Sequence, residues 1–302
     1  MRILSIDAGG TELKYGIVDE NYNLSECNFI ETPKDNVEDI VNAIYNVFIG
    51  FKDIDAIVLS LPGFVDVYSG MHRGGGCFHS LYNVNIKQLV ENKCGVNCLV
   101  DNDGKSATIA EYYLGNLKDT KDSAVFIIGT GVGGGLIING KLVRGRNYTA
   151  GEFSYLNVDI NDDDIHSSTL ADYCSTRNLL QIYEDSSENN EKISGREFFN
   201  RYHNGDEIAI EVLDEFCEYI AKEIMNLGIL LNIEKVAIGG GISAQDVLIE
   251  KIIDGINSLE LNEFFKDVGY NPFIPEVVRC KFKNDANLLG VAYEYINSKE
   301  IL

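Results

Sequence analysis

The sequence predicts an α/β fold built as two similar halves, and three observations carry that expectation. Apolar runs of strand length alternate with segments of helical periodicity along most of the chain. Three of the strands run directly into glycine clusters: IDAGGT at 6–11, IGTGVGGG at 128–135 and IGGGIS at 238–243. The first two clusters lie inside strand–glycine turn–strand units that share a pattern but little identity, as a duplicated domain would.

The elements follow in order. Residues 4–6 read as a strand, 7–11 as a glycine turn and 14–18 as a second strand, with a third over 25–31. VEDIVNAIYNVFIGF has apolar residues at helical spacing, and DAIVLSLPG is a β-branched run closed by Pro62 and Gly63. NIKQLVENKCG is a short helix, CLVDNDG a strand ending in two acids and a glycine, and SATIAEYYLG a helix ended by Gly115. The second half restarts with SAVFIIGTGVGGGLIINGKLVRG, then carries the long helix LDEFCEYIAKEIMNLGILLN, the strand KVAIGGGIS and the terminal helix ANLLGVAYEYINS. SSENNEK, 186–192, reads as a solvated loop. The expected domains are 1–116, joined by the C-terminal helix at 286–302, and 117–285.

Composition narrows the function. The 302 residues are 45% hydrophobic and 24% charged, enough for two packed cores. With 47 acids against 25 bases the formal charge is −22, so the average surface repels nucleic acid and anionic membranes, and neither is expected as a partner. An anionic ligand would have to be held by local backbone donors or by a metal. No apolar run reaches the roughly 20 residues of a membrane span, and the early acid Asp7 argues against a signal peptide, so a cytoplasmic protein is expected. Seven cysteines over a chain of this length suit reduced thiols, and Cys94 and Cys98 read as small buried hydrophobes.

Each glycine turn is ambiguous alone. In Asp-x-Gly-Gly-Thr, Asp7 and Thr11 flank Gly9 and Gly10, which fits an ordinary tight turn and equally a cradle of bare N–H groups for phosphate. Three such junctions in two similar halves favour a divided nucleotide site. A dinucleotide site fits less well, because GTGVGGG is followed by a second strand rather than a helix. Asp103, at a strand end before a helix, suits a general base that orients a hydroxyl and accepts its proton; the other reading makes Asp101 or Asp103 the cap of that helix. Asp101 is read as structural.

DAGGT, DNDGKSATIAEYYLG, GTGVGGGLIINGKLVRG, AGEFSY, IGGGIS and NDANLLGVAYEY stand in the order and at the spacings of the ROK family of sugar kinases and related repressors, and the chain resembles that family over essentially its whole length. The resemblance implies two actin-like (ribonuclease H-like) α/β domains with a nucleotide and sugar cleft between them. It implies ATP and Mg²⁺ as cofactors, phosphoryl transfer to a primary sugar hydroxyl, and a homodimer. By motif match, Asp7 holds Mg²⁺ through water, and Gly9, Gly10 and Thr11 surround the β- and γ-phosphates. Thr130, Gly131, Gly133 and Gly134 form the second phosphate loop, and Gly239, Gly240 and Gly241 the adenosine-side turn. Asn102 and Asp103 match the sugar-binding Asn and catalytic Asp, and Glu152 the acid that grips the ring. A DNA-binding repressor is disfavoured because the first strand begins at residue 2 or 3; a non-catalytic actin-like protein would not need Asp103 or Glu152.

The departures bear on the sugar. The family's Glu-x-Gly-His appears as Glu152-Phe153-Ser154-Tyr155, and the Cys-rich zinc run that many members carry is missing. Between 159 and 177 the only soft ligands are His166 and Cys174, so no zinc site is expected, and Asp162, Asp163 and Asp164 read as a solvated loop. A sugar-contacting Glu of the family falls on Ala171, with Asp172 beside it. GGGCFHSLYNVN replaces the usual sugar loop, which leaves Gly75, Gly76 and His79 as sugar contacts. The pattern is similar to zinc-less members that include β-glucoside and N-acetylmannosamine kinases, with glucokinase the alternative. Losing a carboxylate and an imidazole on the C1–C2 side leaves room for a substituent there. The higher kcat/KM is therefore expected for N-acetylmannosamine or a β-glucoside, the first slightly ahead because Tyr155 could donate to an acetamido carbonyl; a sugar panel in which glucose wins would refute this.

Overall fold

The computed structural model describes residues 1–159, 167–187, 192–259, 267 and 273–297. It divides into two compact units, one of Met1–Gly115, Leu142–Ala150 and Asn284–Leu302, the other of Asn116–Lys141 and Gly151–Lys283. The sequence-based boundaries contain no excursion at 142–150. That segment clusters with the first unit because Arg144 pairs with Asp101 and Glu294, both belonging to it.

In the first unit β1 (Arg2–Ala8), β2 (Glu12–Asp19) and β3 (Leu24–Glu31) form an antiparallel meander. Helix α1 (Val37–Phe48) follows, started by Asn36, whose side chain accepts from the N–H groups of Glu38 and Asp39. Then come β4 (Ala56–Leu61), the short strands β5 (Val65–Asp66), β6 (Met71–His72) and β7 (Val84–Asn85), helix α2 (Ile86–Cys94), β8 (Asn97–Asn102) and helix α3 (Asp103–Tyr113). The main sheet runs β3-β2-β1-β4-β8, with β1, β4 and β8 parallel, while β5, β6 and β7 make a separate small sheet. All six residues of β4 are buried, as a parallel strand covered on both faces requires. Register does the positioning: Asp7 pairs with Ser60, Ser60 with Asp101 and Leu61 with Asn102, so polar residues gather at the C-terminal ends of three parallel strands.

The second unit repeats the plan with β9 (Ser123–Ile128), β10 (Val132–Ile138), β11 (Lys141–Leu142), α4 (Leu170–Cys174), α5 (Thr176–Ser186), α6 (Gly195–His203), α7 (Glu207–Leu231), β12 (Lys235–Gly239), α8 (Asp246–Ser258) and β13 (Glu276–Arg279). Its sheet order, β11-β10-β9-β12-β13, matches that of the first unit strand for strand, with a hairpin on one side and parallel strands on the other. The core joins Phe126, Phe153, Phe216 and Ile238, and Phe126 stacks on Phe153 at 4.2 Å between ring centroids.

The chain then returns to the first unit as α9 (Ala286–Asn297). It crosses α3 so closely that a Cβ on Gly290 would stand 1.7 Å from the Ser106 carbonyl oxygen. Ser5 Oγ of β1 donates to the Leu288 carbonyl at 2.7 Å. In an isolated helix, alanine in place of glycine would gain about 1 kcal/mol. Here the neighbour is backbone and cannot yield, and overpacking of this kind costs about 1–3 kcal/mol or more. Gly290→Ala should therefore lower the urea midpoint; a raised midpoint would show that α9 does not pack on α3 this tightly.

Candidate active site

In the first unit Asp7, next to the end of β1, is only partly exposed, its Oδ1 accepting from Ser60 Oγ at 3.1 Å and from Asn287 Nδ2 at 3.0 Å. Among the described residues no group bonds its Oδ2. Burial pushes the carboxyl up from its ordinary range, against the lowering effect of the Asn287 and Ser60 bonds. A carboxylate whose surroundings disfavour its charge, with one oxygen unengaged, fits a hydrated divalent cation, which would restore the ionised form. The turn beside it is pinned on one side, with Gly9 N donating to Glu12 O at 3.0 Å and Thr32 Oγ1 to Gly9 O at 2.7 Å. No described residue accepts from the N–H of Gly10 or Thr11, and Gly10 is exposed.

At the end of β8 the side chain of Asn102 makes three bonds. Its Oδ1 accepts from Lys105 N at 2.9 Å, and its Nδ2 donates to Gly63 O at 2.8 Å and to Asp103 Oδ1 at 3.0 Å. Asn102, and neither Asp101 nor Asp103, is thus the N-cap of α3. Asp103 is the first helical residue, its Oδ1 also taking the Gly104 N–H at 2.8 Å. Asp101 is fully buried and grips Arg144 through two bonds of 2.8 Å each. The same guanidinium reaches Glu294 at 2.9 Å. Burial lowers the Arg144 pKa, but the two carboxylates outweigh it and raise it on balance.

The glycine loop reaches Asn102 through Gly63. Gly74, Gly75 and Gly76 all have positive φ, and a Cβ on Gly76 would fall 2.7 Å from the Pro62 carbonyl carbon, so the loop lies on the Pro62–Gly63 turn. His72, fully buried, joins the two: its Nε2 lies 2.9 Å from Pro62 O, and its Nδ1 accepts from Gly74 N at 3.2 Å. A carbonyl only accepts, so Nε2 carries the proton and the ring is neutral. His79 is exposed on a single 3₁₀ turn.

In the second unit the β9–β10 turn holds Gly129, Thr130 and Gly131. Gly133 and Gly134 lie inside β10 rather than in the turn. Gly134 is needed there for packing, since its φ is +147° and a Cβ would sit 1.8 Å from Val125 O. The 3₁₀ turn Phe153–Tyr155 is fastened to this hairpin by Ser154 Oγ, which accepts from Val132 N at 2.8 Å. That places Glu152, half-buried, at the start of the turn and leaves Tyr155 63% exposed. Gly239, the last residue of β12, is buried, and Gly240 after it has φ +92°, where a Cβ would stand 2.0 Å from Ile128 O, whereas a Cβ on Gly241 would meet open space. Asp172 closes a capping box with Thr169, its Oδ2 accepting from Thr169 Oγ1 at 2.6 Å, which ties it to its own helix. Cys174 is fully buried. His166 and Asp162, Asp163 and Asp164 lie outside the described residues, as do 188–191 of the polar loop. Among the described residues no three His, Cys, Asp or Glu side chains group as a metal site, and no helix is long and apolar enough to cross a membrane.

The structure thus brings Asp7, Gly9, Gly10, Thr11, Asn102 and Asp103 to one end of the first sheet. Sequence reasoning missed Ser60, His72, Arg144 and Asn287. Asn287 lies in the NDANLLGVAYEY motif, but nothing local told that it would reach Asp7 across 280 residues.

A sequence profile of the ROK family matches residues 3–297. A β-glucoside kinase of Listeria monocytogenes is 30% identical over 302 residues, 99% of each chain. An N-acetylmannosamine kinase of Haemophilus influenzae is 27% identical over 302 residues, covering 97% of this chain and 95% of its own. A solved Listeria monocytogenes structure, assigned as an N-acetylmannosamine kinase, superposes with a TM-score of 0.88 at 28% identity, covering 98% of this chain and 99% of its own.

The His72 geometry sets a pH dependence. Burial lowers its pKa from 6.5, so as pH falls below about 6.5 the unfolded chain takes up a proton that the folded chain refuses. Stability from this group is present above that pH and declines below it, by at most about 1.4 kcal/mol per pH unit. His72→Gln keeps one donor and one acceptor without titrating. Urea midpoints from pH 7 to pH 5 should fall less steeply in that variant than in the wild type; identical slopes would refute the neutral-ring assignment.

Proposed function

The chain belongs to the ROK family, and from that premise we propose that it is an ATP-dependent hexose kinase that phosphorylates the 6-hydroxyl of N-acetylmannosamine or a β-glucoside. The observation that carries the reading is the Asn102–Asp103 pair at the end of β8, an acid fixed through Oδ1 by a side-chain amide and a helix N–H. A sugar hydroxyl is a weak nucleophile, and a carboxylate fixed in this way orients it and accepts its proton. As the proton passes to Asp103, the sugar oxygen bonds to the γ-phosphorus of ATP and the bond to the bridging oxygen breaks, releasing ADP. Gly10 and Thr11 offer backbone N–H groups to phosphate oxygens, and so do Thr130 and Gly131. Gly241 leaves space for the adenosine side. Asp7 would hold Mg²⁺ through water, and the ion supplies neutralisation of phosphate charge. Glu152 grips sugar hydroxyls, with Tyr155, Gly75, Gly76 and His79 around the ring. A homodimer in the cytoplasm that uses Mg²⁺ and no zinc belongs to the same proposal. The similarity to both a β-glucoside kinase and an N-acetylmannosamine kinase supports the two sugars named.

A coupled assay with Mg-ATP and glucose, mannose, N-acetylmannosamine, N-acetylglucosamine and cellobiose tests this directly. ATP turnover that no sugar stimulates would overturn it. Asp103→Asn should keep sugar and nucleotide affinity while turnover falls about a hundredfold to ten-thousandfold, the span of a general base. Equal rates would reduce Asp103 to a structural residue.

A further inference from the structure

One cavity of the first unit has no part in the chemistry above. It measures about 660 Å³, within the roughly 300–1,000 Å³ usual for small-molecule sites, and is lined by Phe64, Asp66, Arg73, Arg146, Asn147 and Tyr148 among others. It borders the proposed sugar contacts through Phe64. Phe64 follows Gly63, whose carbonyl takes the Asn102 amide, and a Cβ on Gly75 would meet the Phe64 ring at 3.3 Å, so one aromatic ring walls both places.

The lining is mixed in a specific way. Asp66 is fully occupied: its Oδ1 accepts from the N–H of Tyr68 at 3.2 Å and of Ser69 at 3.3 Å, its Oδ2 from Arg73 at 3.3 Å, and Tyr148 also bonds to it. Arg146 is exposed and has no ionic partner among the described residues. Tyr148 holds φ at +63°, the left-handed region that a bulky side chain adopts at a cost of about 1–3 kcal/mol. Its hydroxyl bonds to Asp66, while its ring remains half-buried beside the exposed ring of Tyr68, 6.3 Å away. Aromatic faces beside planar guanidinium and amide groups are what a pyranose ring needs, with C–H groups over the rings and hydroxyls between forked donors.

We propose that this cavity is a subsite for a second hexose ring, glycosidically linked to the sugar held at Asn102 and Asp103, with Phe64 and Tyr148 as its walls and Arg146 and Asn147 as its donors. The inference rests on the hexose-kinase reading and narrows its two sugars to the glycoside. An isolated monosaccharide would leave the cavity to water, whereas a disaccharide would fill both places.

Calorimetry without nucleotide separates the subsite from the phosphoryl transfer. Cellobiose should bind the wild type about tenfold or more tightly than glucose, and Arg146→Ala and Tyr148→Gly should each bring that ratio close to one. Glycine adopts φ +63° without strain, which offsets the loss of the hydroxyl bond to Asp66, so Tyr148→Gly should stay folded while it loses the ring. A wild-type ratio of one or less, or a ratio that neither variant changes, would overturn the subsite. Tighter binding of glucose 1-phosphate than of cellobiose would overturn it in favour of an anion site. If the binding pattern holds and a coupled assay shows no phosphorylation of either sugar, the subsite stands and the kinase reading falls.

Discussion

The proposed catalytic acid of the first unit is held in place by the side chain of Asn102. One amide caps α3, holds the Gly63 carbonyl after β4 and fixes the Asp103 carboxylate. No other residue type supplies an acceptor and two donors at that reach. Aspartate would cap the helix but would face the Gly63 carbonyl and the Asp103 carboxylate with oxygen, and leucine would leave all three groups unsatisfied in a site that is 4% exposed. The direction of the amide is set by its partners, since Lys105 offers only an N–H and Gly63 only a C=O.

Below this amide is a buried charge pair that serves geometry more than stability. Asp101 is fully buried and Arg144 largely so, and replacing such a pair by apolar groups is often neutral or stabilising. What the pair does is specify: it joins the end of β8 to a segment that is distant in sequence, and through Glu294 to α9. The segment so anchored carries Arg146 and Tyr148 a few residues on.

Much of this was legible in the sequence, because it rests on local signals. Alternation and β-branched runs marked the strands, and glycine after a strand marked the turns that β1, β9 and β12 enter. The Asn-Asp pair before a helix was visible as chemistry, though which residue caps was not, since Asp, Asn and Ser all cap well and only the folded chain shows which side chain turns back. Helices α5, α6 and α8 were not read from the sequence although each carries apolar residues at helical spacing, such as Leu248, Ile252 and Ile256 in α8. Helix α7 begins at Glu207, six positions before the expected start at 213, since Asp206 and not the first strong apolar run sets its N-terminus. In the second glycine cluster the sequence did not show that Gly133 and Gly134 lie in a strand, where Gly134 answers to a carbonyl of the strand alongside. Asn287, His72 and Arg144 act through partners far away along the chain, which no window of sequence reveals.

The return of α9 to the first unit has a consequence for the order in which the protein takes shape on the ribosome. Chains emerge at about 5–20 residues per second and domains fold as units. The second unit is contained within 116–283, so it has all its strands before the helix at Ala286–Asn297 exists. The first unit, although it is made first, waits with β1, β4 and α3 uncovered until that helix arrives. The half that begins the chain is the last to finish, and its exposed sheet face is what a nascent-chain chaperone would meet.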